Sequence, residues 1–273
     1  MESDFINGAQ PSEVSVHIAE EVAALLGAEL ARQCRTDPQF LIGWCYECGK
    51  PFDARISPIA IIAEKAGEYL VVCGVHANCS PSHVAEPALV DAFDRTGLVR
   101  SNISFSFMPY GDSHRSVIFV EPGYYMAKVT DHGEFSDAMS SHLLARGWAI
   151  ASDLDSDPVV LGIDQFVGWR RDKNTDALGL PMYVQMLQQV GSDLTPHEIG
   201  FSTEVSEETF LWAQQAKTSG WVDMYVGPFG IQSWGERGRD DGMLRSAFSS
   251  GRTVSARVEF RKFDELIDYS SNT

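Results

Sequence analysis

Hydrophobic positions near the N-terminus repeat with the spacing of an α-helix. From Val14 to Cys34 the apolar residues recur every three or four positions, which places them on one stripe of a helix. Ser12 is suited to cap the first turn. Asp37-Pro38 ends the helical pattern, because the proline ring clashes with the preceding residue when that residue has helical backbone angles. The sequence therefore predicts one amphipathic helix at the start of the chain.

Shorter apolar runs rich in β-branched residues follow this helix and predict strands. These predicted strands cover 40–44, 56–63 and 69–73. The turn Lys65-Ala66-Gly67-Glu68 joins the last two runs as a hairpin. Pro87 to Thr96 then has a proline at an early position and Gly97 after its end, which is the polarity of a helix. We place a domain boundary near Gly97, which divides the chain into domains 1–97 and 98–273.

The longer C-terminal part alternates runs typical of strands with a few helical patterns. Strands are predicted over 103–109, 116–121, 124–129, 159–171, 181–190, 221–229 and 253–263. Helices are predicted over 134–146 and 206–218. No strand-helix-strand unit repeats. The sequence therefore predicts an α+β fold, with a small N-terminal module followed by a larger domain built on a mainly antiparallel sheet.

The charge balance changes the expected partners. The formal net charge of −17 disfavours binding along a nucleic-acid backbone, which relies on Lys and Arg. A basic stretch from Arg237 to Lys262 is interpreted as a solvated strand and loop, with an anion site or an acidic partner as the alternative. No apolar stretch could span a bilayer and no signal peptide is evident, so we expect a cytoplasmic protein that does not associate with a membrane.

Cysteine spacing supplies the strongest chemical signal. Cys45 and Cys48 form a C-x2-C turn, which provides two of the four ligands of a tetrahedral zinc ion. Gly49 after this pair allows backbone amides to turn toward the thiolate sulfurs. For the second pair we rank His76 with Cys79 first. Because the close-set donors would fill the coordination shell, the sequence favours structural rather than catalytic Zn²⁺.

Two other second pairs remain open at this stage. Cys73 with His76 has C-x2-H spacing, and Cys73 with Cys79 has a looser C-x5-C spacing. His83 adds a further imidazole next to the cluster. Cys73 is therefore the alternative ligand.

The segment 44–83 resembles treble-clef or half-LIM-like zinc modules. The resemblance rests on the C-x2-C-G turn, the following hairpin and the terminal H-x2-C. It implies that Cys45 and Cys48 sit on a knuckle and that His76 and Cys79 stand at the start of a helix. The extra Cys73 and His83 depart from the pattern. Such modules bind nucleic acids or proteins or serve as scaffolds, so the resemblance does not specify an activity.

Other motifs favour structural readings. Asp153-Leu-Asp155-Ser-Asp157 has the alternating acids of a calcium loop, but Pro158 stands where that loop needs glycine. Gly111-Asp112-Ser113-His114 is interpreted as a hairpin turn. The glycine-rich segment 227–238 matches no phosphate-loop spacing and is interpreted as a structural loop.

Three hypotheses for the function follow, from different classes. The first is an acidic cytoplasmic interaction protein that uses its zinc site as a staple and binds a protein partner, with a basic protein as the natural choice. The second is an enzyme acting on a small molecule in a pocket of the C-terminal domain. The third is a nucleic-acid-binding protein.

Overall fold

The chain forms an α+β structure in which a small sheet with one helix precedes a larger sheet. The computed structural model describes residues 15–36, 45–52, 57–66, 69–85, 101–111, 113–129, 135–171, 182–190, 193–196, 202–231, 234 and 241–262. Its helices are α1 (Glu20–Thr36), α2 (Ala138–Ala145), α3 (Phe210–Ser219) and α4 (Asp241–Ser249). Its strands are β1 (Val16–His17), β2 (Ile59–Ala66), β3 (Tyr69–His76), β4 (His83–Val84), β5 (Ser101–Tyr110), β6 (Ser113–Pro122), β7 (Tyr125–Val129), β8 (Phe135–Asp137), β9 (Ala149–Ile150), β10 (Gln165–Arg171), β11 (Met182–Val190), β12 (Asp193–Pro196), β13 (Ser202–Val205), β14 (Trp221–Val226) and β15 (Val254–Lys262).

The first sheet is built around the β2–β3 hairpin. Its strand order is β1-β2-β3-β7-β8, and β4 also pairs with β2. β1 lies parallel to the start of β2 and β4 parallel to its middle, so both cover the same edge. The hairpin pairs Ala66 with Tyr69, which leaves a two-residue loop in the predicted turn. The predicted strand over 40–44 and helix over 87–96 lie outside the described residues.

Helix α1 covers one face of this sheet. Val22, Leu26, Leu30 and Cys34 are fully buried there, packed against Ile59 and Ile61 of β2 and their neighbours. The helix begins at Glu20, later than the sequence predicts, because the preceding residues pair with β2 as β1. Within it Gly27 has φ 72° and ψ 168°, so two helical segments meet at a glycine. The apolar stripe was read correctly, but its spacing could not show the lead-in strand.

Ser82 connects the start of α1 to the middle of β2. Its hydroxyl is buried, donates to the Ile61 carbonyl at 2.7 Å and accepts from the Ala19 amide at 2.9 Å. The Ala19 carbonyl in turn accepts the first helical hydrogen bond, from Ala23. The Ser82 side chain thus bonds the Ala19 amide, which follows β1, and the Ile61 carbonyl of β2. Ser82 itself lies directly before β4.

The Ser82→Ala variant is expected to lose about 1 kcal/mol of unfolding free energy, because it removes one hydrogen bond from the part-buried Ala19 amide and one from the Ile61 carbonyl. Ser80→Ala is the matched control, since the exposed Ser80 hydroxyl has only a 3.4 Å contact with the Pro81 carbonyl. Urea unfolding of both variants measures the difference. Equal midpoints would show that Ser82 does not hold the helix.

The second sheet has nine strands. Its order is β12-β11-β10-β15-β14-β6-β5, with β13 on β11 and β9 on β15. Most pairings are antiparallel, as predicted; β14 with β6 and β10 with β15 are parallel. Helices α2 and α3 cover one face, where Trp212 is the largest fully buried side chain. Helix α4 and the side chains of Phe229, Ile231 and Trp234 cover part of the other face, around Phe119.

One predicted helix in this region starts later than expected, and one helix was not predicted. The predicted helix over 134–146 starts only at Ala138, because 135–137 forms β8 against β7. Asp137 ends that strand and caps α2, accepting from the Ser140 amide at 3.2 Å. Helix α4 lies inside the stretch 237–262, which we had interpreted as strand and loop. The sequence pattern over 134–146 predicts one helix because β8 leads directly into the residue that caps α2.

The two sheets share a continuous stretch of chain. β7 and β8 follow β6 directly, yet they pair with β3 in the first sheet. Residues on both sides of position 97 therefore build the first sheet. Gly97 itself lies outside the described residues, and the division into 1–97 and 98–273 stays a prediction. No helix in the described part of the chain is long and apolar enough to cross a membrane.

Candidate metal centre

The C-x2-C turn sits at the open end of the β2–β3 hairpin. The Cys45 amide donates to the Lys50 carbonyl at 2.8 Å, and the Gly49 amide donates to the Cys45 carbonyl at 2.8 Å. The Tyr46 amide donates to the Gly74 carbonyl at 2.9 Å, which ties the turn to β3. Gly49 has φ 68°, so the glycine is needed for its backbone angle. The turn is thereby held at a fixed place on the sheet.

The H-x2-C pair enters from the end of β3. The strand ends at His76, and the Cys79 amide donates back to the His76 carbonyl at 2.8 Å. This tight turn brings the Cys79 thiol beside the imidazole. Ser80 adds a second amide on the same carbonyl, at 3.2 Å. Both pairs therefore rest on the same hairpin, and their mutual placement follows from it.

Four side chains converge at this point. The ligand atoms of Cys45, Cys48, His76 and Cys79 all lie within 4.8 Å of one another. His76 Nδ1 is 3.4 Å from Cys48 Sγ and 3.9 Å from Cys79 Sγ. Around a tetrahedral zinc ion with ordinary bond lengths, sulfur and nitrogen ligands stand about 3.6 Å apart. The donor set and its spacing fit Zn²⁺.

The orientation of His76 is fixed by its other ring nitrogen. Nε2 lies 3.1 Å from the Pro51 carbonyl, which can only accept, so Nε2 carries the proton. Nδ1 then keeps its lone pair and faces the two exposed sulfurs. The Phe52 ring packs edge-on to the imidazole, with 5.2 Å between ring centroids. The hydrogen bond from Nε2 to the Pro51 carbonyl is the kind that a zinc-ligating histidine ordinarily makes with its second ring nitrogen.

Backbone amides point at the sulfurs. The His76 amide donates to Cys45 Sγ at 3.2 Å. The Lys50 amide, with His76, lowers the pKa of the Cys48 thiol to about 7. Desolvation and the neighbouring Cys48 and Cys45 sulfurs raise the pKa of Cys79 to about 11. The raised pKa of Cys79 reflects its desolvation and the sulfurs beside it, and a divalent cation bound here would supply the compensating positive charge.

The alternative ligand Cys73 lies outside this group of four. It is 1% exposed and packs among Cys45, Val71 and Val75 on the inner face of the sheet. Burial raises the pKa of its thiol far above the ordinary value. His83 also lies apart, with Nδ1 2.9 Å from the Pro81 carbonyl. Strand alternation points Cys73 into the core.

Three arginines of the basic stretch 237–262 are engaged by groups of the protein itself. Arg257 holds Asp223 through two hydrogen bonds, of 2.6 and 3.1 Å. Arg252 pairs with Asp137 at 3.3 Å. Arg261 stacks on Phe166 and lies 3.7 Å from Glu259. These cations are committed to groups of the protein itself.

A buried ion network in the second sheet escaped the sequence reading. Asp223 is 1% exposed and is held by both Arg115 and Arg257, and these two arginines also reach Asp157. Its signal was present in the sequence. A single acid stands in the middle of the apolar strand Trp221–Val226, and a single arginine stands at the paired position of β15.

A second buried acid was also missed. Glu121 is 2% exposed and accepts from the amides of Gly230, at 2.5 Å, and Ile231, at 3.1 Å. Burial raises its pKa despite these bonds. It fastens the start of the glycine-rich segment, which supports the structural interpretation of that loop. The Asp153 side chain likewise accepts from the Asp155 and Ser156 amides, which makes its surroundings a polar turn.

We expect zinc to shield the two exposed thiols from alkylation. In the zinc-loaded protein at about pH 8, Cys48 and Cys79 should react slowly with iodoacetamide although both are exposed. A short pulse directly after chelation should label Cys48 first, because its pKa is about 7, and Cys79 more slowly, because its pKa is about 11. Cys34 should stay unlabelled in the loaded protein, because burial raises its pKa to about 12 and its thiolate forms only near that pH. Peptide mass spectrometry reads each site, and equal labelling with and without chelator would contradict the metal site.

Comparison with known proteins supports the N-terminal module. Residues 16–88 match the family described as "SCO1756-like putative zinc-binding domain". The match spans β1 through β4 and includes all four clustered donors. No curated protein and no solved structure matches the chain. The chain thus carries an N-terminal zinc-binding module, and the nine-stranded part is without a recognised family.

Proposed function

We propose that the zinc ion is structural and that the protein is a non-enzymatic interaction protein. One observation carries this: the cluster offers four protein donors, three sulfurs and one imidazole nitrogen, within 4.8 Å of one another. Catalytic zinc keeps a position open for water or substrate, whereas structural zinc is closed by four protein ligands. With no open position, the ion fastens the turn and the hairpin to each other.

The position of the cluster supports a stapling role. Cys45 is fully buried in the same apolar group as Val75, while Cys48 and Cys79 are exposed. The ion therefore joins a core residue to two surface turns at the end of the hairpin. The treble-clef resemblance stays part of this proposal. In the described residues, Cys79 is followed by a turn and by β4, which pairs with β2.

The proposed partner is a basic protein in the cytoplasm. The formal net charge of −17 raises the encounter rate with positively charged proteins and disfavours nucleic acid. Arg252, Arg257 and Arg261 of the basic stretch are engaged by carboxylates, so these three do not offset this field locally. The charge selects the class of partner and not its identity.

An enzymatic function has weaker support from the geometry. The cavity between the two sheets, beside Glu121, Tyr124 and Arg252, has a volume of about 30 Å³. That volume suits one or two water molecules and is far below the several hundred Å³ of ordinary substrate pockets. An interaction surface is therefore the better hypothesis for the described part of the chain.

Affinity capture tests the proposal. Zinc-loaded protein is immobilised, and bound proteins are eluted by raising the salt concentration from about 50 mM to about 500 mM. We expect one stoichiometric partner with a basic isoelectric point, released as salt rises. The matched control is a chain with its exposed Asp153, Asp155 and Asp164 replaced by Asn. No stoichiometric partner at either salt concentration would overturn the proposal.

A further inference from the structure

Strand β5 has an edge without a partner among the described residues. It pairs with β6 over all ten residues, from Ser101 opposite Pro122 to Tyr110 opposite Ser113. It is the last strand on its side of the nine-stranded sheet. The middle of this edge, from Ile103 to Phe107, presents backbone amides and carbonyls that can pair with another strand.

The composition of β5 is unusual for a free edge. Its residues, Ser-Asn-Ile-Ser-Phe-Ser-Phe-Met-Pro-Tyr, include no Lys, Arg, Asp or Glu. Edge strands are ordinarily protected from pairing by charged side chains or by prolines within them. Here Pro109 is the only such feature, and it stands next to the end. Phe107 is 38% exposed.

We propose that β5 pairs antiparallel with the β5 of a second copy of this chain. Two copies related by a twofold axis at Phe105 would place Ile103 opposite Phe107 on one face of the joined sheet. On the other face Ser104 would stand opposite Ser106. From Ile103 to Phe107, apolar side chains meet apolar ones and hydroxyls meet hydroxyls, so this central part of the strand is complementary to itself.

Charge favours a second copy over a basic partner at this edge. A chain with a net charge of −17 repels its own copies wherever carboxylates face each other. β5 offers no charged group for a basic protein to pair with, and it brings no like charges into contact when two copies meet. The proposed dimer interface is thus separate from the acidic surface that the proposed function uses.

Helix α3 extends the interface beyond the strand. The twofold axis keeps the same faces of both sheets on one side, so the two α3 helices lie on that side together. The Trp212 ring is 4.4 Å from the Phe105 ring, which places α3 beside the axis. Leu211, the preceding residue, is 71% exposed. In the proposed dimer it supplies an exposed apolar side chain on the helix that lies beside the axis.

The size of the interface sets the strength of the dimer. Ten residues of strand are roughly 34 Å long. A strand edge with one flanking side chain buries less than the about 1,200 Å² of a tight complex. The dimer should therefore dissociate in the micromolar range, and its population should depend on concentration.

Sedimentation equilibrium of the zinc-loaded chain, from about 1 to about 200 µM, tests the proposal. We expect the mass to rise from monomer to dimer over this range. The double variant Ser104→Lys/Ser106→Lys should remain monomeric, because it places lysines opposite lysines. Leu211→Gln should raise the dissociation constant at least about threefold, which is a smaller effect.

A matched variant and a second readout separate this edge from other surfaces. Ser246→Lys/Ser249→Lys adds the same charge on the exposed side of α4 and should dimerise like the parent chain. Amide exchange in β5 should slow at high concentration, while exchange in β8 should not change. A monomer at all concentrations, or a dimer that survives the β5 lysines, would overturn the inference. A heterologous partner protecting β5 instead of a second copy would do the same. Neither result bears on the acidic partner surface.

Discussion

The Cys45→Ala variant is expected to lose its zinc, whereas Cys73→Ala keeps about one zinc per chain. Both sulfurs belong to the same buried apolar group and both residues are 0–1% exposed. The two variants therefore remove the same atom from the same core. Only Cys45 is among the four donors that converge. Elemental analysis of protein purified without added metal distinguishes them.

The expected loss of stability in Cys45→Ala is large. Structural zinc contributes about 10–16 kcal/mol of binding free energy in small zinc peptides, and that energy is folding energy where the site forms only in the folded state. Even a fraction of it exceeds the about 2 kcal/mol expected for removing a buried thiol in Cys73→Ala. The Cys45 sulfur also accepts a hydrogen bond from the His76 amide at 3.2 Å, which the variant loses, while the backbone bond from residue 45 to Lys50 remains. The variant should release the turn as well as the ion.

Amide hydrogen exchange in the Cys45→Ala variant is a further check, because it shows which strands lose protection. Amide exchange should accelerate in β2 and β3 of Cys45→Ala, and also in β7, which pairs with β3. β14 and β15 lie in the middle of the other sheet and should stay protected. If both variants keep their zinc, or if Cys73→Ala loses it, the proposed ligand set is wrong.

The ligand set was accessible from the sequence because its spacing is local. A C-x2-C turn and an H-x2-C turn each bring two donors together within one turn of chain. The competition from Cys73 could not be settled by spacing, since C-x2-H is an equally good pair. The pairing of β3 favours His76 over Cys73: Cys73 lies opposite Ile62 within the strand, whereas His76 is at its end. Which residues of β2 and β3 lie opposite each other depends on the pairing of the strands, and the spacing of cysteines and histidines does not show that pairing.

The architecture was predictable in class and less so in its connections. Apolar runs located the long strands well, because alternation and β-branching are local signals. The pairing of β7 with β3 and the parallel contact of β6 with β14 were not accessible, since both join distant segments. Helix α4 was missed because Arg245 on its exposed side, within a stretch rich in arginine, obscured the apolar residues Leu244 and Phe248. Long-range contacts and mixed-charge helices account for most of the misses.

The Asp223→Ala variant should lose about 3–5 kcal/mol of unfolding free energy, whereas Asp157→Ala should lose less than about 1 kcal/mol. Both carboxylates contact Arg115 and Arg257, so each variant removes one anion from the same pair of cations. Asp223 is 1% exposed, and the Asp157 side chain is 57% exposed. Chemical unfolding, followed by tryptophan fluorescence, measures both.

Burial decides which loss is expensive. Without Asp223, two guanidinium groups remain in the sheet with no anion at the buried end, and water reaches them poorly because the Arg115 side chain is only 11% exposed. Without Asp157, solvent replaces the lost carboxylate at the outer end. An Asp223→Asn variant should recover part of the stability, since the amide oxygen still accepts a hydrogen bond from Arg257. Equal losses for Asp223→Ala and Asp157→Ala would show that the network is solvated throughout and does not hold β14 to β15.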